Sequence, residues 1–336
     1  MRKAILLFHF TFFIFHFSFS QDYPIQPVPF TAVKVTSQFW APRLETNRTV
    51  TIPFAFKKCE ETGRIDNFAI AGKLKKGSFR GIRYDDSDVF KVIEGAAYSL
   101  ASRPDPQLDA YLDDLIHKIA AAQEPDGYLY TIRTIQGDSI KDVNGAGRTR
   151  WSALEGSHEL YNVGHLYEAA VAHFQATGKK TLLNVALKNA DLLLNTFGPG
   201  KRVAVPGHEE IEMGLVKLYR VTNRKPYLDL AKFFIDMRGR ADLRTLYVGG
   251  PNHAQHVPTH LDSLYFQDNL PVTQQTEAQG HAVRAGYLYA GMTDVDAVMG
   301  SRTYRAALDK IWHNTADQKM YLTGGVGADT FIFRVG

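Results

Sequence analysis

His158, His208 and His281 are the residues whose type and spacing most plainly suggest chemistry. Each stands at the start of a helical pattern, and two directly follow a glycine (Gly207-His208 and Gly280-His281). A lone histidine is usually a capping or packing residue, but three at the same place in successive units point to one shared cavity. The first two sit beside Glu159 and beside Glu209, Glu210 and Glu212. Imidazoles among aromatic side chains suit a saccharide, whose hydroxyls need donors and acceptors and whose C–H faces need flat rings. These three histidines are the candidate substrate-binding residues.

Cleavage of a glycosidic bond ordinarily uses two carboxyl groups. Asp88, Glu124, Asp126, Glu155 and Glu159 are available, the spacing selects none, and each also reads as a cap, turn or surface residue. His253, His256 and His260, with Asp262 near, lie in a loop rich in glycine, proline and asparagine. Their H-x2-H-x3-H spacing matches no established zinc pattern, so a polar loop is expected. Gly324-Gly325-Val326-Gly327 opens no helix and is no nucleotide loop. The single cysteine, Cys59, cannot form an internal disulfide and reads as a buried small hydrophobe on a helix. Spacing thus assigns no catalytic residue and no metal ligand.

The elements that would position these groups are helical. Val89, Val92, Ile93, Ala96, Ala97 and Leu100 fall on one stripe, with Ser87 or Asp88 as the expected cap. Leu108 to Ala122 is a second helix, ended by Glu124-Pro125-Asp126-Gly127 and followed by extended Tyr128-Leu129-Tyr130. The segment from Ala176 to Ala186 then repeats from Val221 to Ala231 at an offset of 45, with identities that include Thr177/Thr222, Lys180/Lys225 and Leu183/Leu228. Each unit is helix, turn (Gly178 or Asn223) and helix. Gly280 to Met292 followed by Tyr304 to His313 forms a third unit with a longer connection. Repeating hairpins with polar groups at one end of the first helices predict an all-α fold, an α/α toroid rather than an open solenoid.

Residues 1–20 read as a signal peptide: two positive charges, an apolar run short for a bilayer span, and small residues at Ser18 and Ser20. Export to the periplasm or beyond is expected, with cleavage near Ser20/Gln21 and no stable membrane span afterwards. Residues 21–50 are expected to be extended, with a short β segment at Phe30 to Val35, and residues 51–336 to form the helical domain. The net charge of +4 is small and dispersed, which argues against a nucleic-acid partner.

Several ordered motifs resemble glycoside hydrolase family 127 and its close relative family 146. They are Thr51-Ile52-Pro53-Phe54, Gly63 to Phe68, Asp86-Ser87-Asp88-Val89, Ile93 to Tyr98, Gln123 to Leu129, His158-Glu159-Leu160-Tyr161 with Gly164-His165-Leu166, Pro206 to Glu212, and Glu277 to Arg284. The resemblance covers about residues 27–327. It implies an (α/α)6 barrel followed by β-sandwich domains, and release of β-L-arabinofuranose with retention from plant-type glycans. It also implies a zinc ion on one glutamate and three cysteines, one of which is the nucleophile, with a second glutamate as acid/base. His158, His208 and His281 match the family's sugar-contacting histidines, while Ala55 stands where some members carry a glutamine.

After Gly327 the family pattern gives way to Ala328-Asp329-Thr330-Phe331-Ile332-Phe333-Arg334-Val335-Gly336, a tail with no glutamate and no cysteine. The family's acid/base and zinc ligands have no match in the chain, so the expectation is a toroid incomplete at its C-terminus, without catalytic residues or zinc. Its expected partner is an arabinose-containing glycan or small arabinoside. A non-catalytic carbohydrate-binding homologue, or a different α/α-toroid hydrolase or lyase using Asp88 or Asp126, stands as the alternative.

Overall fold

The structure is a computed structural model that describes residues 22–137, 146–147, 149–240 and 260–327. Among these residues there is no β-strand, and the fold is all-α. Met1 to Gln21, the tail from Ala328, and His253 and His256 lie outside the described residues. No helix of the described residues is long and apolar enough to cross a membrane.

The segment expected to be extended is helical from Trp40. Helix α1 (Trp40–Thr46) passes through a π-turn (Asn47–Thr51) into α2 (Ile52–Glu61), followed by α3 (Arg64–Ala71). The expected strand at Phe30 to Val35 is instead a 3-10 turn at Phe30–Ala32 led by Pro29. A strand needs a neighbour to satisfy its backbone. Here no ladder forms, and Phe30 packs edge-on against Tyr98 at 4.9 Å.

Helix α4 (Asp85–Ser102) begins earlier than the apolar stripe implied. Ser87 and Asp88 lie inside its first turn and do not cap it. Three aspartates there meet the positive end of the helix dipole. Asp86 points back to receive the Thr131 amide at 2.9 Å and its hydroxyl at 2.5 Å, fixing the start of α6 (Thr131–Gln136). Helix α5 (Pro106–Ala122) starts two residues before the expected Leu108, because Asp105 caps it through the Gln107 and Leu108 amides with Pro106 in the first position.

Among the described residues four hairpins build the ring: α4 with α5; α8 (Glu159–Thr177) with α9 (Thr181–Thr196); α10 (Ile211–Thr222) with α11 (Lys225–Met237); and α13 (Ala282–Met299) with α14 (Arg305–His313). Short helices α7 (Leu154–Ser157) and α12 (His260–Tyr265) lie in the connections. The first helices are laid side by side, α4 on α8, α8 on α10 and α10 on α13, while α9 touches α5 and α11 on the outside. The expected turns are present, with Gly178 at φ 76° and Asn223 at φ 55°. The third unit differs: α13 runs on to Met299, its stripe prolonged by buried Val295 and Val298, and Gly300 at φ 62° ends it, so the connection is short.

Helix α8 is buried along nearly its whole length, which makes it the hub of the ring. It meets α10 through glycines. A Cβ on Gly214 would stand 2.7 Å from the Gly164 carbonyl oxygen, so the two backbones come closer than any side chain permits.

Candidate functional site

Each of the three histidines is placed by the chain that enters an inner helix. His158 ends α7 and opens α8 in the left-handed region, at φ 62° and ψ 18°. That conformation costs a non-glycine residue of order 1 kcal/mol, and an Nδ1 contact with the Gly156 carbonyl at 2.8 Å holds it. Beside it, buried Glu159 accepts from the Tyr128 hydroxyl (2.6 Å), the Trp151 amide (3.0 Å) and the Ser157 hydroxyl (2.8 Å). This candidate carboxylate is thus an anchor for the preceding loop.

His208 sits in the loop before α10. Gly207 donates its amide to the Leu154 carbonyl at 2.9 Å, and a Cβ on it would fall 2.0 Å from the Glu155 carbonyl oxygen. Glycine is required there, and the contact ties the His208 loop to the helix that carries His158. His281 caps α13, its Nδ1 accepting from the Arg284 amide at 3.4 Å.

The three rings meet. Centroids of His158 and His208 are 5.6 Å apart, and those of His208 and His281 5.7 Å. Aromatic rings surround them: Tyr161 at 4.3 Å from His208, Tyr287 at 5.8 Å from His208, Tyr84 at 5.1 Å from His158 and Tyr265 at 5.4 Å from His281. Lys91 donates to the Tyr161 hydroxyl at 2.7 Å. Arg284 is buried above the Tyr265 and Phe266 rings at 4.9 and 4.7 Å. His208 is buried and its two partners half-buried.

Burial, reinforced by the Arg284 charge, pushes the His158 imidazole down to about 3 and that of His208 to about 2. Both are therefore neutral at ordinary pH. The groups on their Nδ1 atoms then set the tautomers. A carbonyl only accepts, so Nδ1 of His158 and His208 carries the proton and Nε2 is left as an acceptor. His281 accepts at Nδ1, which in its neutral form leaves an Nε2–H donor. His158 and His208 therefore offer two acceptors.

The other sequence candidates are engaged elsewhere. Asp88 pairs with Arg64 at 2.8 Å and Asp126 pairs with Arg150, which also holds Glu124. Asp88 lies one ion pair from the site, 4.0 Å from Lys91. Cys59 is buried on α2, as expected. A surface cavity of about 530 Å³ between Tyr23 and the α13/α14 hairpin is lined by none of the three histidines. Residues that sequence reasoning did not single out are Tyr161, Tyr265, Tyr287, Arg284 and Lys91. Two of them lay within quoted motifs, and a four-residue step from Lys91 or Tyr161 along their helices would have marked their faces.

Known proteins share this fold. The family model described as β-L-arabinofuranosidase, GH127 catalytic domain, matches residues 32–334. The chain belongs to glycoside hydrolase family 127. It is 36% identical over 320 residues to the non-reducing end β-L-arabinofuranosidase of Bifidobacterium longum subsp. longum, covering 88% of this chain and 48% of that protein. Among solved structures it resembles a GH127 β-arabinofuranosidase at 49% identity and TM-score 0.80, covering 91% of this chain and 46% of the other. A GH127 β-L-arabinofuranosidase from Geobacillus stearothermophilus T6 gives 38% and 0.79, covering 88% and 47%. The chain spans about half the length of the relatives it matches. These matches establish the toroid as the fold of this family 127 chain.

The zinc set implied for the family, one glutamate and three cysteines, does not fit the residues present. The sequence holds one cysteine. Burial, with Asp88 and other nearby charges, pushes the Cys59 thiol up to about 11, so it is protonated at neutral pH rather than a thiolate ligand.

Proposed function

We propose that this chain binds a terminal β-L-arabinofuranosyl unit of a plant-type glycan at the cluster of His158, His208 and His281, as the sugar-recognising part of a secreted, retaining arabinofuranosidase. The reading rests above all on the convergence of the three imidazoles, which come from three separate segments leading into inner helices yet stand 5.6 and 5.7 Å apart. The Nε2 acceptors of His158 and His208 suit a pentose, whose hydroxyls can donate to them. Tyr161 and Tyr287 supply apolar faces for its C–H surface.

The bond-breaking groups implied by the resemblance, a cysteine thiolate on zinc and a glutamate acid/base, have no match among the 336 residues. The chain as given therefore binds the sugar without turning it over. Export with cleavage after Ser20 completes the proposal, because the glycan lies outside the cell.

Calorimetry with methyl β-L-arabinofuranoside tests the binding half. Saturable binding that falls at least tenfold in His208→Ala is expected, and no heat with the unaltered chain overturns it. Turnover of an aryl β-L-arabinofuranoside by these residues alone overturns the other half.

A further inference from the structure

A second cluster lies on α8 beneath the sugar-facing rings and takes no part in the scheme above. His165 follows Tyr161 by one helical turn and Glu168 follows His165 by three residues, so all three share a face. Glu210 joins them from the start of α10, with an unusual backbone at φ 157° and ψ −39°. Its side chain occupies the space that Gly164 leaves open, since a Cβ there would stand 2.7 Å from the Glu210 Cγ.

The three groups converge without closing into ordinary hydrogen bonds. His165 Nδ1 is 3.5 Å from a Glu168 oxygen and 3.4 Å from a Glu210 oxygen. Charge-assisted bonds of this type close to about 2.7–2.9 Å. His165 is 3% exposed and Glu210 fully buried, yet neither imidazole nitrogen makes a hydrogen bond, and Glu210 meets only the Glu168 carboxyl. Their ligand atoms all lie within 4.8 Å of one another. A tetrahedral ion with bonds of about 2.1 Å to nitrogen and oxygen sets its ligand atoms roughly 3.4 Å apart. The observed spacing is the edge of such a polyhedron.

Charge argues the same way. The other Glu168 oxygen is held by Lys217, which also lies 3.7 Å from Glu94. Two carboxylates, Glu168 and Glu210, thus face one imidazole with Lys217 on the far side of Glu168, and a divalent cation displaces the proton that they otherwise share.

We propose that His165, Glu168 and Glu210 hold one divalent cation of the zinc type, joining α8 to the start of α10. The donors are one imidazole and two carboxylates, a set distinct from a thiolate centre. Tyr161 and Tyr287 stand edge-on to His165 at 4.7 and 5.7 Å, so the ion stiffens the aromatic floor under His208. The assignment does not depend on which sugar, if any, binds above.

The test is a zinc titration of the chelator-treated chain, followed by calorimetry and by metal analysis after gel filtration. One equivalent is expected in the unaltered chain, in Cys59→Ser and in His208→Ala, and none in Glu210→Gln or His165→Asn. Zinc also raises Tm of the unaltered chain but not of Glu210→Gln. No stoichiometric metal in the unaltered chain overturns the assignment and leaves the cluster holding a shared proton. Undiminished binding by Glu210→Gln, or loss in His208→Ala, overturns it equally. Should Glu210→Gln not fold, cobalt(II) in the unaltered chain decides. A tetrahedral spectrum without thiolate charge transfer supports the site, and a thiolate band places the metal on Cys59 and overturns it.

Discussion

The Tyr161 ring lies 4.3 Å from the His208 ring, the shortest of the contacts between aromatic rings and the histidines of the site, while Lys91 holds its hydroxyl at 2.7 Å. Tyr161 therefore keeps the central imidazole in place from the side of α8, whereas Gly207 fixes it from the loop. Aromatic pairs of this kind contribute about 0.5–1.5 kcal/mol beyond burial. Tyr161→Ala should weaken arabinoside binding by roughly threefold to tenfold on that scale. Tyr161→Phe, which keeps the ring and loses the Lys91 contact, should weaken it less. Calorimetry on the two variants side by side checks the order.

The close approach of α8 and α10 makes a second expectation. Gly164 and Gly214 face each other across the α8–α10 contact, and an added methyl on either meets backbone or a buried side chain: the Ile211 amide at 2.9 Å from position 164, the Gly164 carbonyl at 2.7 Å from position 214. Overpacking of this sort costs about 1–3 kcal/mol. Gly214→Ala should lower Tm by several degrees, and Gly164→Ala by more because Glu210 must also move. Gly286→Ala, inside α13 with open space around its Cβ position, is the control that should hold or raise Tm, since alanine gains up to about 1 kcal/mol over glycine in a helix. Differential scanning calorimetry reads all three.

Much of this was legible in the sequence, for physical reasons. Helical hairpins announce themselves by the 3.6-residue stripe and by the left-handed turn residue, and Gly178 and Asn223 adopt that conformation. The three histidines were legible because each opens an element. What stayed hidden depends on contacts between distant segments. Asp86 looked like a local helix residue but serves Thr131, 45 positions away. His165 and Glu210 share a cluster only because α8 and α10 are adjacent. One signal was present and unused: His158 precedes Gly164 and His208 precedes Gly214 by the same interval, so histidine and close-packing glycine recur together. The Phe30 segment misled because alternation marks a strand only where a partner strand exists.

Asp86 supports a third prediction. Its carboxylate is fully buried and bonds both the amide and the hydroxyl of Thr131, so removing it strands two buried donors. Asp86→Ala should cost about 1–3 kcal/mol. Asp86→Asn should retain part of this, since its amide oxygen can still accept. Urea denaturation with unchanged m-values checks the ranking.

The neutral histidines make a fourth, on pH. Burial, aided by Arg284, holds His158 near about 3 and His208 near about 2, against 6.5 in the unfolded chain. His158 and His208 should therefore add no inflection to sugar affinity near 6.5, so the double variant His158→Asn/His208→Asn should leave the shape of any residual affinity–pH profile between pH 8 and 5 unchanged. Stability behaves differently. Between 6.5 and about 3 the unfolded chain binds protons that the folded chain refuses, so the histidine contribution is complete above pH 6.5 and is lost as pH falls through that window. Burial pushes Asp86 up to about 6 and Glu209 to about 7, and these act in the opposite sense, losing their contribution as pH rises. The histidine share is read as a difference: the double variant His158→Asn/His208→Asn should lose less stability than the unaltered chain between pH 6.5 and 4. Parallel curves for the two proteins, measured by denaturant titration at each pH, would show that both imidazoles titrate normally in the folded state.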